Sequence, residues 1–223
     1  NLDLSVIGNS AQKFIEAKSS KKAGFHPEPS ILSYEKSIQE VENLRYYFSV
    51  SMQYMQKSCR AADPKEKEAL SREAIDRMEY AYKDKAKTDI LTSQYSLLAF
   101  YYGNLSIAQI ANNTPEDALK SIDNCLSLES EEFVKSWMKG KRSLIYLLNN
   151  QKEKAFTELE ACKPINLSDH KNFTGLYRQM TTFNPEDNTT VAALILKDIE
   201  YLEANGITHP DMEEYKNMLE LKP

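Results

Sequence analysis

The sequence predicts an all-α protein built as an array of antiparallel helix hairpins. Three observations carry that expectation. Apolar residues recur at alternating steps of three and four along most of the chain, the period of one helix face. Three segments carry a capping residue, then proline, then an acidic residue in the first turn. The 223 residues include only 6 Gly and 8 Pro, little material for the tight turns of a β fold. About ten helices are expected, in one domain spanning 1–223. Residues 1–62 form N-terminal helices, 63–162 the helix pairs, and 163–223 a C-terminal cap.

The first element, roughly 4–17, aligns Leu4, Ile7, Ala11 and Phe14 on one face. Gly24, Pro27 and Pro29 then break the chain. From Ser30 to about Cys59, the stripe Ile31, Tyr34, Ile38, Val41, Leu44, Phe48, Met52, Met55 and Cys59 runs without Gly or Pro, which predicts one long helix. Asp63-Pro64-Lys65-Glu66, Thr114-Pro115-Glu116-Asp117 and Asn184-Pro185-Glu186-Asp187 mark three helix starts. In each, the cap oxygen can take a free backbone N–H, proline suits the first helical position, and the acid complements the positive end of the helix dipole. Helices are accordingly expected at about 64–87, 90–111, 115–128, 131–149, 151–162, 169–181, 185–204 and 210–220. Asn112-Asn113, Asn149-Asn150 and Pro164 punctuate them. Mostly short connections place neighbours antiparallel.

Charged residues make up 27% and the hydrophobic set 41%, the balance of a folded rather than disordered chain. The formal net charge of -5 argues against a dedicated nucleic-acid binder, whose affinity rests on neutralising phosphates. Cys59, Cys125 and Cys162 are widely spaced, as buried thiols are, with no CxxC pair for zinc. No apolar run approaches the length of a membrane span. A chain beginning at Asn1 implies trimming ahead of it, so export after signal-peptide removal stands as an alternative to the cytoplasm.

Residues 99–162 carry a repeat. Tyr102, Leu105 and Ser106 fill a first helix, with Gln109 one turn on, and Ala118, Ile122 and Cys125 fill a second. Ala155, Leu159 and Cys162 repeat the second set 37 positions later, and Ala74, Met78 and Ala81 form a similar set upstream. The downstream first helix, with Trp137, Leu144 and Leu148, reads as stretched in register. This pattern resembles the tetratricopeptide repeat, in which small residues let paired helices approach and large ones interlock. An ordinary helical bundle is the competing description. The resemblance implies a right-handed superhelix whose first helices line a concave groove.

No catalytic or metal pattern emerges. His26, His170 and His209 are isolated, no glycine-rich phosphate loop occurs, and two short Ser-x-x-Lys matches, at Ser10 and Ser33, lack companion motifs. Neither an enzyme nor a cofactor is expected. Lys139, Lys141 and Arg142 make one compact basic cluster beside Trp137. The resemblance implies that groove positions hold a partner protein's peptide or helix, with Tyr101, Asn104, Trp137, Lys141 and Arg142 as candidate contacts. Tyr95, Tyr102 and Tyr146 are further aromatic candidates, since rigid rings bind at modest entropic cost. Two other readings stand beside this one: a helical-repeat nucleic-acid binder, and a helical bundle with an unrecognised ligand or catalytic site.

Overall fold

The computed structural model describes residues 46–82, 95–128, 132–162, 177–178, 180–181 and 189–220. The chain divides into two compact units, Asn1–Asn43 and Leu44–Pro223, and every described residue belongs to the second. Eight helices occur among the described residues, and no strand does. Helix α1 covers residues 46–60, α2 Pro64–Tyr82, α3 Tyr95–Ala111, α4 Pro115–Leu128, α5 Glu132–Leu148, α6 Lys152–Ala161, α7 Val191–Ala204 and α8 Met212–Glu220. The predicted helix at 4–17 and the first half of the one at 30–59 lie outside the described residues. Of the predicted helix at 169–181, Tyr177, Arg178 and Met180 are described, and they are helical. None of the helices is long and apolar enough to cross a membrane.

The proline-marked starts divide three ways. Asp63 caps α2 as expected, its Oδ2 accepting from Glu66 N at 2.9 Å. Thr114 does not cap α4: its hydroxyl turns back and donates to Gln109 O at 2.9 Å. The third start, Asn184–Asp187, lies outside the described residues; Thr190 is extended (φ -101, ψ 166) and accepts from Ala193 N, so α7 begins at Val191 and no helix runs unbroken through 190. A β-region residue cannot sit inside a continuous helix; here it is the N-cap.

Three helices end in one way. Asn113, Asn150 and Gly206 adopt left-handed φ of 61, 58 and 78. The next residue's amide then reaches back five positions: Thr114 N to Gln109 O, Gln151 N to Tyr146 O and Ile207 N to Leu202 O, each at 2.9 Å. This closure satisfies carbonyls the helix would leave open and reverses the chain. Asn113 and Asn150 are 37 positions apart, the offset of the Ala-large-Cys sets, whose members Ala118, Ile122, Cys125, Ala155, Leu159 and Cys162 are all buried.

The first helices keep that offset too. Cys125 Sγ donates to Ala99 O (3.3 Å) and Cys162 Sγ to Ser136 O (3.6 Å). Ser106 Oγ donates to Gly103 O and Ser143 Oγ to Gly140 O. All of these pairs are 37 apart. The register of α5 is therefore not stretched relative to α6, contrary to the expectation; Gly-x-x-Ser at 103–106 and 140–143 is the signal that shows it.

Each hairpin stacks on the next through a glycine. A β-carbon on Gly103 would lie 2.7 Å from Met138 Sδ, and one on Gly140 2.1 Å from Ile195 Cδ1. The third hairpin, α7/α8, is further tied to the second by Tyr215. Its hydroxyl bonds the Ser143 hydroxyl and lies 3.2 Å from Gly140 O. Lys152 joins the exposed side, bridging Asp211 and Glu214 at 2.7 Å each.

Candidate functional site

Two layers follow from helix geometry. Gln109 of α3 meets α4, accepting from Ser121 Oγ at 2.8 Å, and Tyr146 of α5 lies under Lys154 of α6 at 5.6 Å. Nine residues are two and a half helical turns, so Phe100 and Trp137 project from the opposite sides of α3 and α5. These two residues, again 37 apart, form a ring pair with centroids 5.7 Å apart and planes tilted by 32°. Trp137 is the predicted contact that lies on this face.

A short helical turn of the same chain sits on that face. Tyr177 meets both rings edge-on, at 5.8 Å from Phe100 and 5.8 Å from Trp137. The edge-to-face arrangement lets the positive ring edge meet a negative ring face, beyond what burial alone contributes. Met180, one turn on, is 1% exposed. Thr181 closes the turn, its amide and hydroxyl both donating to Tyr177 O, at 3.0 and 2.9 Å. Beside Met180 a recess of about 360 Å³ stays open, lined by Ser49, Met52, Gln53 and Gln56 along one stripe of α1.

The predicted contacts are placed as follows. Tyr101 is fully buried in the core, where desolvation pushes its phenol pKa upward. Trp137 is 2% exposed beneath Tyr177. Asn104 is half-buried and turns toward α1 and α2, donating to Ser58 Oγ (2.8 Å) and Ser71 Oγ (3.0 Å). Lys141 is buried, ion-paired with Asp198 of α7, and its Nζ stands 4.9 Å over the Trp137 ring. Arg142 projects to the second-helix side, where it holds Glu158 (2.9 and 3.0 Å from Nε) and Asp123 (2.8 Å). The structure thus brings Trp137 and Lys141 together and separates them from Arg142. Tyr102 also faces away, donating to Glu79 of α2.

Below the Trp137–Lys141 step lies a buried titratable cluster. Desolvation raises the Asp198 carboxyl above the ordinary carboxylate range, against the opposing pull of Lys141 and Lys67. Burial lowers the Lys67 ammonium, which donates to Ser58 O at 3.0 Å and stands 4.9 Å over Tyr201. Burial also pushes the Cys59 thiol up to about 11, so this cysteine is a poor nucleophile near neutral pH. No group of three or more metal-ligating side chains occurs among the described residues.

A second recess, of about 450 Å³, opens on the other layer between α2, α3 and α4. Its lining mixes Arg72 and Lys120 with Asp76, Glu79 and Asp117. Phe100, Tyr177, Met180 and Asp198 were not singled out from the sequence. Phe100 was within reach, since it precedes Trp137 by the 37 residues that separate Ala118 from Ala155. No family model, curated protein or solved structure matches this chain.

Proposed function

We propose that this protein is an interaction module, similar to tetratricopeptide-repeat proteins, that holds a short segment of a partner protein against its first-helix layer. The resemblance implies a right-handed superhelical array of about ten helices with that layer as its concave side. One observation carries the reading. The Phe100–Trp137 pair already seats a helical turn through Tyr177, and an open recess flanked by Met180 of that turn runs along α1. Large aromatic seats flanked by space for further contact are the usual centre of a binding surface. The nucleic-acid alternative draws no support here. Lys67 and Lys141, two of the cations near this face, are buried and engaged, which leaves them unable to track a phosphate backbone.

Site-specific photocrosslinking tests the assignment. Benzoylphenylalanine replaces Gln53 in the first-layer recess or Lys120 in the second-layer one, both exposed positions. The expected result is a discrete crosslinked partner from position 53 and none from position 120. Partners captured from position 120 alone would move the binding surface to the other layer.

A further inference from the structure

We infer that the first-helix layer recognises a helical turn bearing an aromatic residue and, three positions on, a long apolar side chain, and that such a partner exchanges with the chain's own Tyr177–Met180 turn. This rests on the reading of that layer as the binding face and specifies what binds there.

The first hairpin passes to the second between Leu128 and Glu132, whereas the second passes to the third only between Ala161 and Val191. The stacking of hairpins is nonetheless continuous, since α7 meets Gly140 of α5 much as α5 meets Gly103 of α3. The turn at 177–180 is therefore an insertion laid on the repeat rather than a part of it. Its seat, by contrast, belongs to the repeat: Phe100 and Trp137 occupy equivalent positions. An insertion that fills a face made by the array stands where a ligand would stand.

The contacts have the character of a docked motif. Residues three apart on a helix share one side, and here they are the two buried anchors, while Arg178 between them is exposed. Recognition of short helices by anchors at this spacing is a recurrent mode. A competitor has room to enter, because the 360 Å³ recess flanks Met180 on the α1 side. An intramolecular occupant lowers the apparent affinity of any competitor by its own occupancy, which makes the turn a built-in threshold for binding.

Trp137 supplies the readout, as the only tryptophan of the chain. The probe is a synthetic peptide with the sequence of residues 171–183, together with its version carrying alanine in place of the tyrosine. Both are titrated into the full chain and into its Tyr177→Ala/Met180→Ala variant, following Trp137 emission. The parent peptide is expected to bind the variant at least about tenfold more tightly than the unmodified chain, and the alanine peptide to bind neither. Trp137 emission should move to the red in the variant and return to the blue on binding. Hydrogen exchange on the unmodified protein gives an answer even if the variant does not fold: the Thr181 amide should exchange at least about tenfold faster than the central amides of α3 and α5.

A Thr181 amide as protected as those of α3 and α5 would overturn the exchange. So would a folded variant whose Trp137 ignores the parent peptide. Equal binding of both peptides would overturn the aromatic requirement. Crosslinking at Gln53 separates these failures from that of the broader reading. A partner captured there with an inert peptide removes only the exchange, whereas capture from Lys120 alone removes the first-layer site itself.

Discussion

Hairpins α3/α4 and α5/α6 share a register of 37 residues, yet the equivalent positions Asn104 and Lys141 hold the array together by different means. Asn104 reaches back to α1 and α2 with a neutral amide. Its Nδ2 meets the hydroxyls of Ser58 and Ser71, which also bond each other at 2.7 Å. Lys141 reaches forward to the third hairpin with a charge, its side chain buried and that of its partner Asp198 mostly so. A neutral network of short polar groups costs little to desolvate and tolerates the loss of one member. A buried ion pair gains less than its geometry suggests, because both ions gave up hydration, and it fails badly when halved. The joint to the third hairpin is therefore the more fragile of the two.

The largest effect expected from that difference is at Asp198. Asp198→Ala should cost about 3–5 kcal/mol of unfolding free energy, because it leaves the Lys141 ammonium buried without a counter-ion. Asn104→Ala should cost only about 1 kcal/mol, since Ser58 and Ser71 keep each other satisfied. Lys141→Met with Asp198→Leu should return stability to the starting value or above it. Urea denaturation of the three variants measures all of this. Equal losses for Asp198→Ala and Asn104→Ala would erase the proposed contrast.

The glycines sharpen the same comparison with a smaller effect. A methyl on Gly103 meets the flexible end of Met138, which can swing aside. In a helix interior the gain from replacing glycine by alanine, about 1 kcal/mol, then offsets the crowding. A methyl on Gly140 meets Ile195 Cδ1 at 2.1 Å and Cγ1 at 3.2 Å, on a β-branched side chain with few rotamers to escape into. Gly103→Ala should be close to neutral, and Gly140→Ala should destabilise by about 1–3 kcal/mol. Adding Ile195→Val, which removes the clashing carbon, should recover most of that loss. Thermal melts read the result; a Gly140→Ala chain as stable as Gly103→Ala would mean that α7 does not press on α5.

What the sequence disclosed and what it concealed divide along physical lines. Features set within a few residues were legible: the Asp63 cap, the Asn112-Asn113 and Asn149-Asn150 reversals, and the small-large-small faces of α4 and α6. The same local reading failed where one side chain had two local partners, as Thr114 did, or where an extended residue interrupted a helical pattern, as Thr190 does. Contacts across long separations left no trace at all. Lys141 and Arg142 are neighbours and read as one basic cluster. The turn of a helix sends one to Asp198 and the other to Asp123 and Glu158. Trp137 was correctly seen as large and rigid, but that a tyrosine forty residues on would cover it is decided by topology.

The smallest expected effect concerns Lys67, where the charge lies between the two joints and belongs to neither. It is 5% exposed, and no carboxylate lies within ion-pair distance among the described residues; its partners are the Ser58 carbonyl and the Tyr201 ring. Cys59, Asp198 and Lys141 are the other titratable groups it feels, and desolvation dominates them in pulling its pKa below the ordinary 10.5. In the unfolded chain Lys67 keeps its proton up to about 10.5, whereas in the folded chain it gives that proton up earlier. Between those two points the unfolded state binds more protons, so this group makes stability rise with pH. Cys59 acts with the opposite sign between 9.0 and about 11, since its folded thiol keeps its proton longer. Comparing the natural chain with Lys67→Met cancels most of that contribution, because both retain Cys59. The Ser58 carbonyl also keeps a partner in the variant, the Ala61 amide at 3.1 Å. Lys67→Met should therefore be the more stable protein at pH 7, with the gap narrowing as pH climbs toward 10. Denaturation at several pH values gives that gap directly, and a gap that stays constant or reverses sign at pH 7 would show that the lysine is better solvated, and the region between the joints wetter, than its burial implies.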